Sequence, residues 1–228
     1  MKIRNVTLAL MLCATTTALA QDGKVLKQRF KQMGAATKKN QLLLRGYQWR
    51  ESVLVTVDGD QAPPRQSLCR YAVDGTILKT PVGPAGDDSA THDGPLPRHM
   101  TAKKEEEVAD VGQVVGEYVP PLPDELWDAA VKGKVALERD SQGGPALVFH
   151  NYKKPGDEMK LILDPVSMQA IRIDISTYLE SGRSPITVQV QFARLADDTL
   201  YPAQTTMQAP EKRILIATAN TNYVRLAL

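Results

Sequence analysis

The sequence predicts an α+β protein, mostly antiparallel β, in which a strongly curved sheet is covered on one face by an N-terminal helix and two inserted helices. Three observations predict it. Short segments between Pro145 and Leu226 alternate apolar and polar residues and are separated by turn residues, the period of strands with one dry face. In the clearest of them Ile186, Val188, Val190 and Phe192 fall on one face and Thr187, Gln189 and Gln191 on the other. The same period occurs earlier, in Val53, Val55 and Val57 against Ser52 and Thr56. Between these two β regions the spacing lengthens to that of helices, which need an apolar surface to pack on, and the dry face of the sheet supplies one.

Taken in order, the chain opens with Met1-Lys2-Ile3-Arg4, an apolar run from Val6 to Ala14, and Ala18-Leu19-Ala20 before the polar Gln21. This is the pattern of a secretory signal peptide cleaved after Ala20, with residues 21–228 expected to form a single domain. The apolar run is far shorter than the roughly 20 residues of a membrane span, and no later segment approaches that length, so an exported protein without a membrane span is expected. Leu10 stands three positions before Cys13, as in a lipoprotein signal, but Leu12 is larger than the residue that normally precedes a lipidated cysteine.

Asp22 is placed to cap a helix over Gly23–Lys39, with Leu26, Phe30, Met33 and Thr37 as its apolar stripe. A strand follows over Leu44–Val57, a turn at Asp58-Gly59-Asp60, and two further strands over Arg65–Val73 and Thr76–Thr80 joined at Asp74-Gly75. From Pro81 to Pro97 the composition of Gly, Pro, Asp, Ser and Thr predicts a flexible surface loop. A helix over Arg98–Tyr118 sets Met100, Val108, Val111, Val115 and Tyr118 on one side. Pro120, Pro121 and Pro123 stop it, and a second helix over Asp124–Val131 turns Leu126, Trp127 and Ala130 inward. Strands are then expected over Lys134–Glu138, Ala146–Asn151, Met159–Leu163, Met168–Thr177, Ile186–Arg194, Tyr201–Gln208 and Arg213–Ala219. Pro155-Gly156 stands in the positions favoured by a type II turn, and alternation sets Ile171, Ile173 and Ile175 on one face.

Composition excludes several classes of function. The 28 basic and 26 acidic residues become equal when Lys2 and Arg4 leave with the leader, and aromatic residues make up only 5%, so no nucleic-acid partner is expected. With Cys13 removed, Cys69 stands alone and reads as a small buried hydrophobe. There is no Gly-rich phosphate loop, nucleophile elbow or CxxC, and His92, His99 and His150 are scattered. Asp157-Glu158 and Asp197-Asp198 lie at turns, where carboxylates cap backbone donors. No catalytic residue, metal site or cofactor is therefore assigned, and the chain is not expected to be an enzyme.

The ordered set Tyr118-Val-Pro-Pro121, Tyr152-Lys-Lys-Pro-Gly-Asp157, Thr187-Val-Gln-Val-Gln-Phe-Ala193, Leu195-Ala-Asp-Asp-Thr199 and Asn222-Tyr223 resembles an uncharacterised family of exported bacterial proteins. More distantly, the leader, first helix, inserted helices and final meander resemble the LolA-like periplasmic lipoprotein-carrier superfamily. That resemblance implies a periplasmic location and an incomplete, half-open β-barrel whose concave apolar side holds acyl chains. Where the closer family has Gly in its Leu-x-Asp-Gly turn, this chain has Asp198.

Two readings remain. In the first, an apolar groove holds a lipid or the acyl chain of a lipoprotein. Val53, Val55, Leu161, Leu163, Ile171, Ile173, Val188, Val190 and Phe192 would line the groove, and Val108, Val111, Val115, Tyr118, Leu126 and Trp127 would form its lid. In the second, the same residues make a filled core, and the protein is an interaction module for an envelope protein partner.

Overall fold

A computed structural model describes residues 13–82, 101–179 and 184–226. The predicted leader lies partly outside the described residues, as do His92, His99, Met100 and all but the first two residues of the loop expected near 81–97.

The elements in chain order are helix α1 (Cys13–Leu44), strands β1 (Tyr47–Val57), β2 (Asp60–Gln61), β3 (Arg65–Tyr71) and β4 (Ile77–Pro81), and helices α2 (Ala102–Tyr118) and α3 (Pro123–Val131). Then come β5 (Val135–Arg139), β6 (Pro145–His150), β7 (Glu158–Leu163), β8 (Ala170–Tyr178), β9 (Pro185–Arg194), β10 (Leu200–Ala209), a single 3-10 turn (Pro210–Lys212) and β11 (Ile214–Arg225). Eleven strands form one sheet in the order β4-β3-β1-β11-β10-β9-β8-β7-β6-β5, with β2 paired to β1, and every pairing is antiparallel. The sheet does not close into a barrel, so the fold is an open curved sheet with helices.

The strand order explains where the helices go. β5 to β11 form a meander of sequence neighbours, and β1 then pairs with β11, so that the first hairpin extends the far edge. The chain leaving β4 at one edge must therefore reach β5 at the other, and α2 and α3 lie on that crossing. Their apolar faces bury the dry side of the sheet on the way. Buried Val111, Val114, Tyr118, Leu126 and Ala129 belong to the same core cluster as Val55, Val57, Leu161, Ile173, Val188, Val190 and Ile216.

Alternation survives in most strands: Ile186, Val188 and Val190 are buried, while Thr187, Gln189 and Gln191 are exposed. β8 departs from it. Its register against β7 shifts between Ile162 and Leu163, which pair with Arg172 and Ala170, so Ile171 is the extra residue of a bulge. Ile171 is consequently 37% exposed while Ile173 and Ile175 are buried, which corrects the expectation that all three share the inner face.

The first helix is also longer than its periodicity suggested. It runs from Cys13 to Leu44, so Asp22 lies within its range. Leu44, read as the start of a strand, is the last helical residue and is buried. The turn at Arg45-Gly46, with Gly46 N–H donating to the Leu43 carbonyl, leads directly into β1.

Candidate functional site: an apolar cavity beneath the first helix

The helices cover the inner face unequally. α2 is fully seated. Thr101 caps its first turn by accepting from the Lys104 N–H, and the Lys104 and Glu107 side chains both reach Lys212, while Lys104 Nζ also lies 3.7 Å from Asp58. At its other end the Tyr118 hydroxyl donates to Asp157 Oδ2 at 2.6 Å and shares a second hydrogen bond with Thr177 Oγ1 at 2.9 Å. Burial and that carboxylate both raise the Tyr118 pKa, because each disfavours the phenolate. Asp157 Oδ2 also accepts from the N–H groups of Lys153 and Lys154, which fixes the hairpin between β6 and β7.

α1 is different. The turns from Phe30 to Leu44 roof a cavity of about 330 Å³ through Phe30, Met33, Gly34, Thr37, Asn40, Gln41 and Leu44. Its floor is Leu161 of β7, Ile173 of β8, Phe192 of β9 and Leu200 and Pro202 of β10, and its sides are Val119, Pro120, Pro121 and Leu126. Met168, Gln169 and Ala170 complete one wall, Tyr71 and Ile77 one end. The cavity exists because the helix stripe carries bulk at its ends, in Phe30, Met33 and Leu44, and only Gly34, Thr37 and Gln41 between them. No Asp, Glu, Lys, Arg or His is among the lining residues.

The two ends of the cavity differ in character. At the Phe30 end the ring meets Trp127 and Phe149 edge-on, each centroid 6.2 Å away, and Phe30 and Phe149 are buried. The other end is partly open, with Gln41 exposed and Ile77 46% exposed. Tyr71 is held there by the Trp49 ring at 5.3 Å, and Trp49 in turn stacks on Tyr223 and donates to Asn220 Oδ1 at 3.0 Å. Between the two ends Asn40 fastens the roof. Its Nδ2 donates to the Leu200 carbonyl at 2.6 Å and its Oδ1 accepts from the Leu200 N–H at 2.7 Å, so one side chain pairs both backbone groups of the first residue of β10.

Of the nine residues expected to line a groove, three do so: Leu161, Ile173 and Phe192. Val55, Leu163, Val188 and Val190 are buried in the packed core, and Val53 packs against it. Of the expected lid residues, Leu126 alone lines the cavity. Val111 and Tyr118 are fully buried, and Val108, Val115 and Trp127 pack against the core. The inner face is therefore divided between a filled part, which includes α2, and an open part under α1. Asn40, Gln41, Gly34 and Thr37 were missed as a group, although the stripe from Phe30 to Thr37 already showed small and polar residues where a packed helix would carry Leu or Ile.

A larger hollow of about 460 Å³ on the opposite face of the sheet is lined chiefly by polar side chains, among them Lys160, Asp174, Ser176, Thr187, Gln189 and Gln208, as a solvated face would be. His150 pairs with Glu158 at 3.2 Å on the half-exposed edge of β6 and β7. Cys69 is fully buried, and burial raises its thiol pKa. Among the described residues there is no group of three or more His, Cys, Asp or Glu side chains that could hold a metal, and no helix is long and apolar enough to cross a membrane.

No family model and no curated protein matches the chain. Similar solved structures include three at low identity. One is a DUF1329 family protein from Desulfovibrio piger, 10% identical, covering 87% of this chain and 92% of that one with a TM-score of 0.48. A putative outer membrane lipoprotein-sorting protein domain from Vibrio parahaemolyticus is 8% identical over 86% of this chain and 93% of that one, with a TM-score of 0.40. A LolA superfamily protein from Nitrosomonas europaea is 10% identical over 84% and 91%, with a TM-score of 0.37.

Proposed function

We propose that the protein is a non-enzymatic periplasmic binding or carrier protein that holds the apolar part of a lipid or acylated lipoprotein beneath α1. The observation that carries this reading is a cavity of about 330 Å³ whose walls are mostly hydrocarbon and bear no charged group. Ligand pockets run from about 300 to 1,000 Å³, and water gains few hydrogen bonds in a space of this kind. An acyl chain moved into it leaves water at a gain of about 25 cal/mol per Å² of apolar surface. The leader over residues 1–20 supports an exported location, with the helix continuing past its expected cleavage point as one roof element.

The test has two parts. The mature protein, purified from its native compartment and extracted with organic solvent, is expected to yield a stoichiometric lipid by mass spectrometry. Calorimetric titration of delipidated protein with dodecanol is expected to show binding that Thr37→Phe, which fills the middle of the cavity, weakens at least tenfold without lowering the melting temperature. An empty extract together with no binding of any chain would refute the reading. An envelope interaction module is the second reading, favoured by β4, an edge strand whose five residues are all exposed, Ile77 and Leu78 included. Capture of one stoichiometric protein partner by the Thr37→Phe variant and the parent alike, with no lipid in either, would establish it instead.

A further inference from the structure

Resting on the carrier reading, we infer that the cavity takes one unbranched chain, tail first toward Phe30, and that Arg45 at the other end selects a ligand with an anionic head, a carboxylate or a phosphate. The roof from Phe30 to Leu44 spans about 21 Å at the helical rise, the length of an extended chain laid along it, and the cavity beneath holds about 330 Å³.

The direction of entry follows from the two ends. The aromatic plug of Phe30, Trp127 and Phe149 closes one, and a charged head driven among those rings would lose its hydration with nothing to replace it. The polar lining residues Gln41 and Tyr71 stand at the opposite end, where Gln41 is exposed. Because no lining residue is charged, an ionic head has to remain outside, in reach of what surrounds that opening.

Arg45 stands next to that end. It follows Leu44, the last residue of the roof, and its guanidinium folds onto the turn between β3 and β4. There its Nη2 lies 2.7 Å from where a β-carbon on Gly75 would stand. A side chain at that position would push the flexible end of Arg45 aside, and the φ of +90° at Gly75 suits glycine. The Tyr71 pKa is raised by burial, which the Arg45 charge opposes, and the Asp74 pKa is lowered first by hydrogen bonds from Thr76, with Arg45 adding least. Asp74 of the same turn accepts through Oδ1 from the Thr76 N–H at 2.9 Å and the Thr76 hydroxyl at 2.7 Å. Arg45 forms no ion pair among the described residues. A planar, permanently charged fork beside the mouth of an uncharged tube suits carboxylate or phosphate oxygens.

The experiment is calorimetry on the delipidated mature protein with four probes of equal chain length: dodecanoate, dodecyl phosphate, dodecanol and dodecyltrimethylammonium. Dodecanoate or dodecyl phosphate is expected to bind at least tenfold tighter than the ammonium probe, the tighter of the two naming the head. Raising the salt concentration should narrow the gap. Arg45→Gln, a change at an exposed side chain, is expected to weaken both anions at least fivefold and leave dodecanol unchanged. Equal affinity for all heads, or anion binding untouched by Arg45→Gln, overturns the inference while the carrier reading stands. No binding by any of the four probes overturns both.

Discussion

Asp198 shows how a residue that departs from expectation is accommodated. It stands where the resembling family has glycine, and its φ is +64°, in the left-handed region that glycine adopts freely and aspartate tolerates. Asp198→Gly is expected to raise unfolding stability by a few tenths to about 1 kcal/mol in urea titrations, the relief of backbone strain exceeding the added chain entropy. Asn40 works in the other direction. Its replacement by Ala strips both backbone partners from Leu200, at an expected loss of about 1–3 kcal/mol measured in the same way. Tyr118→Phe should cost about 2 kcal/mol, since it removes a buried donor to a carboxylate. Ionisable groups set the pH limits. Glu107, Asp164 and Asp197 have pKa values lowered chiefly by hydrogen bonds from Lys212, Ser167 and Tyr47 respectively. Their contribution is present above their unfolded values of about 4 and is lost as pH falls through the lower folded values. Tyr118, Tyr152 and Tyr223 are raised, first by burial, so their contribution is present below pH about 10 and lost as pH rises through the folded values. Urea midpoints measured from pH 3 to 11 should fall at both ends, and an unchanged midpoint at pH 11 would contradict the tyrosine account.

Among the elements, the two kinds of helix should differ in opening. α2 is fixed at both ends and its apolar stripe is buried, whereas α1 spans an unfilled space and is fastened to β10 through Asn40. Amides from Met33 to Leu44 are therefore expected to exchange hydrogen faster than those from Val111 to Tyr118, and dodecanol should slow the first set and leave the second unchanged. Equal exchange in both helices would remove α1 as the moving roof. How far this was legible varies with the interaction responsible. Strands were readable because burial on one face imposes a period of two, and all seven strands of the meander lie where that period places them. Ile171 was not, because an inserted residue in β8 leaves the composition unchanged and reverses only the side on which it emerges. The end of α1 was not readable either. Asn40 to Leu44 stay helical through contacts with a strand about 160 positions away, which no local window contains. The inserted helices lie on the dry face as expected, and which of their residues border open space was not legible, since the periodicity of Val108, Val111 and Val115 is the same over a filled core as over an empty one.

For the molecule as a whole, the division of the inner face into filled and unfilled parts predicts how affinity should scale with ligand length. Each added methylene is worth about 0.8 kcal/mol, or roughly fourfold in affinity, until the tail reaches the Phe30 plug. Affinities of straight-chain alcohols from C6 to C18 are thus expected to climb steeply and then level, whereas a continuing rise to C18 would show that the plug yields. Sequence alone could not supply this limit, because the space beneath the helix is bounded by strands distant in the chain, from Leu161 to Pro202. The sheet adds a property of its own. A closed barrel has its radius fixed by the number of strands and their stagger, but here the described strands end at β4 on one side and at β5 on the other. The curvature of the floor is therefore set by strand twist and by the Asn40 fastening to β10, and closure imposes no radius on it.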